Sequence, residues 1–266
     1  MSHPQRTITR RHMLGALAAA ATSGGVLAGL ATAQGSAAAP IRSIETSLAA
    51  FTQRTLRQGA SGSDVVELQI RVAGWAADGP SQTFVSVDGS FGPQTAAAVR
   101  RFQAAHGLAA DGVAGPATLG ALDQLASSDG STAHFDWSEF TSRDGSGFSG
   151  GRVGAGEVQE NVRRLMWKLE ALRRKGGDRP VTVNSGFRSI AHNQAVGGAS
   201  NSMHMFGVAA DVAVSGLTTR QVYRIAETSG FSGLEAFTNS WQHGDSRVEH
   251  PNYGSGSWWW ESGVVA

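Results

Sequence analysis

A histidine and an aspartate seven residues apart, His204 and Asp211, sit in a stretch (residues 200–214) that is otherwise mostly small and apolar. From Val208 onward, valine and alanine surround Asp211, a pattern that predicts a short, mostly buried strand. A carboxylate in such a place is costly unless a positive group lies against it. A metal ion shared with His204 would meet that need, and nitrogen and oxygen ligands with one open position describe catalytic zinc. A core aspartate held by backbone N–H groups or by an arginine, beside a surface histidine, is the competing reading.

The neighbouring residues extend the pattern. Upstream lie Ser-Gly-Phe-Arg-Ser at 185–189 and Val-Gly-Gly at 196–198, and from Ser202 runs Ser-x-His-x-x-Gly-x-Ala-x-Asp. In this order the motifs resemble the zinc D-alanyl-D-alanine carboxypeptidase family, which includes other peptidoglycan peptidases. The likeness spans about residue 134 to the C terminus. It implies an α+β domain around a mainly antiparallel sheet, and a zinc (Zn2+) peptidase acting on wall peptides. His204 and Asp211 would be metal ligands, and Trp241-Gln-His243-Gly-Asp245 resembles the family's last strand, which makes His243 the third. His250, followed by Pro251, is the competitor.

The general base is not where the family puts it. Family members carry an acid three residues before the last histidine or a histidine two before it, and here those positions are Ser240 and Trp241. Asp245 would share a strand face with His243 and is the first substitute. It could instead pair with Arg247 or orient His243. Glu235, on the preceding apolar segment, is the second. The likeness implies that the carboxylate takes a proton from the attacking water and passes it to the leaving amine. Arg188 would stabilise the oxyanion or clamp a substrate carboxylate, or else pair with Asp211. Ser202 would hydrogen-bond the substrate backbone or cap a turn. His192 is expected on the surface.

Those residues need elements to hold them, and the 266-residue chain has room for two modest domains. Residues 1–39 read as a leader: Thr9-Arg10-Arg11-His12-Met13-Leu14 is a twin-arginine pattern followed by an alanine- and glycine-rich run. The chain is therefore expected to be exported, already folded, and to keep no membrane contact once the leader is removed. Loss of Arg6, Arg10 and Arg11 takes the formal charge from +1 to −2, which is no footprint for nucleic acid. With no cysteine, stability rests on core burial and possible metal binding.

Residues 51–126 contain a weak internal repeat. Asp88-Gly and Asp111-Gly each form a turn, and Gly-Pro followed by threonine starts a helix after each. A further helix is predicted over 63–73 with a Ser/Asp cap. Three short helices with Asp-Gly turns resemble the peptidoglycan-binding domain of wall hydrolases; a helical spacer without ligand is the alternative. Residues 127–133 read as a flexible linker. Residues 134–266 then form the peptidase domain. Its scaffold is a helix over 157–175, apolar at Val158, Val162, Leu165, Met166, Leu169 and Leu172 and ended by Gly176-Gly177. A strand over 181–184 and a Thr-capped helix over 218–229 follow. Of Trp258-Trp-Trp260, at least one is expected to pack inward. The expected molecule is a monomeric, wall-associated zinc peptidase, with a non-catalytic wall-binding protein of the same fold as the alternative.

Overall fold

The computed structural model describes residues 54–236, 240–254 and 256–261, all within one compact unit of the chain. The expected leader, residues 1–39, lies outside the described residues.

Three helices open the fold: α1 (Ser63–Val72), α2 (Pro93–Ala105) and α3 (Pro116–Asp123). Helices α2 and α3 begin alike, with an extended glycine before proline at the first helical position. Proline costs nothing there, because that N–H has no intrahelical acceptor. The expected side-chain cap of α1 is absent: Gly62 stands at that position without a capping side chain. Arg54 anchors this end by binding Asp64 and the Ser61 carbonyl.

The repeat goes deeper than its turns. Gln69, buried on α1, donates to Asp88 Oδ1 (2.8 Å), the Ser90 carbonyl and Thr95 Oγ1, and accepts from the Gly89 N–H. Gln103, buried on α2, repeats this with Asp111 Oδ1 (2.9 Å), the Val113 carbonyl, Thr118 Oγ1 and the Gly112 N–H. Each amide thus ties one Asp-Gly turn to the start of the next helix and leaves none of its own polar atoms unmet.

Residues 127–133 are not loose. Backbone bonds join Ser127 to Ser131 and Ala133 to Leu125, Asp129 binds Ser131, and Thr132 is buried. The connection is a closed turn.

Helix α4 (Ala155–Lys175) serves two cores. Val158, Val162, Leu165, Met166, Leu169 and Leu172 enter the cluster under the sheet, as expected. On its other side Trp167 and Ala171 join the core of the three helices. A buried ion cluster reinforces that contact: Glu67 accepts from Arg71 (2.8 Å) and Arg163 (3.0 Å), and Arg71 lies over the Trp167 ring. Gly74 sits so close to α4 that a Cβ there would meet the Ala171 methyl at 2.4 Å.

The sheet has the order β1 (Val181–Ser185), β2 (Ala209–Val214), β4 (Gln242–Asp245), β3 (Gly233–Leu234), β5 (Trp259–Trp260). All neighbours are antiparallel except β3 and β5. Helix α5 (Ile190–Ala195) follows β1, and α6 (Thr219–Ala226) carries the expected Thr218 capping box with Gln221. The architecture is α+β, with helices first and a mostly antiparallel sheet after. Trp260 packs against the sheet core, while Trp259 borders the cleft described next.

Candidate metal centre

The strand register builds the site. On the antiparallel pair β2/β4, Asp211 stands directly opposite His243, and on β1/β2 it stands opposite Ser185. Opposed residues on one face of such a pair lie close enough for their side chains to meet. His204 arrives from a short 3-10 turn, Met203–Phe206, which ends at Gly207 in the left-handed region (φ 77°). Its orientation is fixed behind: Nδ1 lies 2.6 Å from the Gly186 carbonyl. A carbonyl can only accept, so Nδ1 carries the proton and Nε2 faces the site with its lone pair.

Three potential ligand atoms converge. Asp211 Oδ1 is 2.9 Å from His243 Nδ1 and 3.2 Å from His204 Nε2, and the two ring nitrogens are 3.2 Å apart. Tetrahedral zinc with bonds of 2.0–2.1 Å places its ligands about 3.3 Å apart, so this triangle matches one face of such a polyhedron. The donor types, two imidazoles and one carboxylate, suit zinc as well. Electrostatics agree. Burial opposes charge on His243, yet its hydrogen bonds with Asp211 and Asp245 push the imidazole up to about 9, so the site favours a positive charge at this point. Burial also works against the Asp211 carboxylate, but His204 and His243 hold its pKa well below the usual range.

Asp245 is placed behind this triangle. It is fully buried, with Oδ2 3.2 Å from His243 Nε2 and 2.6 Å from Arg247 Nη2. A Cβ on Gly233 would strike its carboxylate at 2.2 Å, so glycine is required opposite it. Asp245 therefore orients His243 and pairs with Arg247; the expectation that it takes the proton fails, because it does not face the cleft. Glu235 does face it. This residue follows β3, is half-buried and lines the same cleft as the three ligands.

The cleft has a volume of about 520 Å³, within the range that holds a small ligand. Arg188 and Ser202 line it. Arg188 donates to Asp211 Oδ2 at 2.6 Å and to Ser185 Oγ at 2.8 Å, so the anticipated ion pair is present on the cleft wall. His250 is elsewhere, stacked on Tyr253 with ring centroids 4.8 Å apart. Helix α5 carries His192 outside the cleft lining. Trp259 also lines it, and Trp241 and Arg247 are residues not anticipated there. The Arg247 guanidinium lies over the Trp259 ring at 4.6 Å. The Trp-x-His spacing and the triple tryptophan were the available signals.

Known proteins match the same two regions. A Peptidase M15 family model matches residues 133–245, and a peptidoglycan-binding domain model matches residues 61–122. The zinc D-Ala-D-Ala carboxypeptidase of Streptomyces albus G is 47% identical over 180 residues, covering 68% of this chain and 69% of that protein. A spore cortex-lytic enzyme of Bacillus cereus is 40% identical over 87 residues, 32% of this chain and 31% of the enzyme. A solved Clostridium acetobutylicum ATCC 824 fused Zn-dependent amidase/peptidase with a peptidoglycan-binding domain aligns over 28% of this chain and 31% of its own. That alignment has 33% identity and a TM-score of 0.24. With this ligand triangle and a relative matched over more than two thirds of its length, the chain belongs to the M15 family of zinc peptidases.

Proposed function

We propose that the protein is an exported zinc peptidase that binds peptidoglycan and removes the terminal D-alanine from its stem peptides. The observation that carries this reading is the convergence of His204, Asp211 and His243 on the wall of a cleft large enough for a peptide end. The name of the 47%-identical relative, a zinc D-Ala-D-Ala carboxypeptidase, supports the choice of bond. Export is supported by the twin-arginine pattern near the N terminus, and no helix among the described residues is long and apolar enough to cross a membrane. All three ligand atoms come from one chain, so the site needs no second copy.

When bound, zinc supplies the Lewis acidity for attack of water on a peptide carbonyl. The residues do the rest. His204 would hold the metal through Nε2 and His243 through Nδ1, which must give up its proton to do so; the rings are held from behind by the Gly186 carbonyl and by Asp245. Glu235 takes the water proton and returns it to the leaving amine. Arg188, at the cleft wall, meets the substrate carboxylate or the developing oxyanion, and Ser202 bonds the peptide backbone.

Release of D-alanine from a pentapeptide ending in D-Ala-D-Ala, abolished by chelation and restored by zinc, is the expected result. A zinc-loaded protein that releases none would leave only the wall-binding alternative. Glu235→Gln is expected to lower kcat on the order of 10²–10⁴-fold with zinc content unchanged. Full activity in that variant would remove Glu235 from the mechanism.

A further inference from the structure

The three ligand side chains are not held alike. Asp211 and His243 sit on paired strands, where the ladder fixes their backbones. His204 sits outside the sheet, on the four-residue 3-10 turn Met203–Phe206. A turn of this kind makes few internal bonds, and those are poorly aligned. The position of His204 therefore depends on what grips the turn from outside.

Three successive carbonyls of the turn are gripped. The Arg188 N–H donates to the His204 carbonyl (3.1 Å), and the Arg152 N–H to the Met205 carbonyl (2.9 Å). Both of these donors are main chain. The Phe206 carbonyl instead accepts from a side chain, Nδ2 of Asn161 on α4, at 2.8 Å. A carbonyl can only accept, so the amide must turn its NH2 end this way. The other Nδ2 hydrogen goes to Tyr253 Oη (3.0 Å), which in turn donates to Glu157 Oε1 (2.6 Å), one turn earlier on α4. The Tyr253 ring lies flat on that of Phe206, with centroids 4.5 Å apart and planes 13° from parallel. Gly207, which ends the turn, is so close to α4 that a Cβ there would meet the Val158 carbonyl at 2.8 Å. The metal-facing turn is thus seated on the start of α4.

Asn161 is buried, beside Val158, Val162 and Leu165 on the same helix. Burying an amide is costly unless its hydrogens are met, and a leucine of similar size would fill the space without that cost. What the polar group adds is its bond to the turn.

We propose that Asn161 is a positioning residue of the metal centre: by holding the Phe206 carbonyl it keeps His204 Nε2 aimed at the point shared with Asp211 and His243. The inference rests on the metal reading above. Without the amide, the buried Phe206 carbonyl has to move to find a donor, and the turn that carries His204 moves with it. Partners that orient metal ligands in this way are worth about 10–100-fold in metal affinity.

The test is zinc affinity of the metal-free full chain, measured by chelator competition. Asn161→Leu should weaken zinc binding about 10–100-fold. Asn161→Ala, which leaves room for water at the carbonyl, should weaken it less, by roughly tenfold, and decides the matter if the leucine variant does not fold. Tyr253→Phe keeps both the ring stack and the bond to Phe206 and should stay within about threefold of the wild type. Gln103→Leu, which unseats a buried amide in the helical region, should destabilise the chain in urea without changing zinc affinity. Wild-type affinity in a folded Asn161 variant overturns the proposal. So does an equal loss in Gln103→Leu, which would make the effect one of general stability. A wild type that binds no zinc would overturn the metal reading itself, and the proposal with it.

Discussion

Two parts of this molecule bury polar side chains to fix a loop, and they do so with opposite chemistry. In the helical part, Gln69 and Gln103 each close a neutral cage in which every donor and acceptor of the amide is met. Around Asp211 the buried groups are ionisable, and three ligand atoms face one another across gaps of 2.9–3.2 Å. A saturated amide cage can only hold shape. An ionisable cluster facing a cleft has unspent coordinating capacity, and that capacity is what chemistry needs.

The sharpest way to break this contrast is to exchange the symptoms. Asp211→Ala should abolish zinc binding and lower D-alanine release by about 10³-fold or more, with helical content retained, as metal analysis, turnover assays and circular dichroism would show. Gln103→Leu should do the reverse. It strands the buried Gly112 N–H and removes the donor to the buried Thr118 hydroxyl, at a cost of about 2–4 kcal/mol in urea unfolding, while the zinc-loaded protein keeps its kcat. Equal loss of zinc in both variants would erase the distinction.

Asp245→Asn sharpens it from within the site. The shape is kept, but the charge that orients His243 is lost, and zinc affinity measured by chelator competition should fall about 10–100-fold. The smallest effect is expected at His250. Burial, with Lys168 and Arg164 nearby, pushes its imidazole down to about 4. The unfolded chain, titrating near 6.5, then binds the proton first as pH falls, so folding stability declines between about pH 6.5 and 4. His250→Phe keeps the stack on Tyr253 and should make that decline shallower by on the order of 1 kcal/mol. Identical slopes in urea titrations would rule this out.

Of the candidate ligands, His204 and Asp211 were readable as an acid in an apolar strand with a histidine seven residues before it, whereas His243 came from its place in the order of the family's motifs. Asp245 was misread for a physical reason. Residues two apart share a strand face, but nothing in the sequence shows that β3 covers that end of β4 and seals the carboxylate under Gly233. The amide cages were hidden differently. The turns repeat at readable spacing, yet Gln69 precedes its Asp-Gly by 19 residues and Gln103 by 8, so the pair has no common offset. A glutamine in a helix otherwise reads as surface. The tied turn at residues 127–133 looked loose because its composition is that of a flexible segment, whereas its hydrogen bonds are closed by tertiary position.

Helix α4 puts Trp167 and Ala171 into one core and Val162 and Leu169 into the other. A protease cutting the turn near Ser127 would therefore not free an intact wall-holding module from an intact catalyst. The severed pieces would stay clasped, since parting them would bare an indole and break the ion cluster of Glu67, Arg71 and Arg163. Grip and blade share a spine, so swapping either alone onto a foreign partner would leave the transplant without part of its own interior.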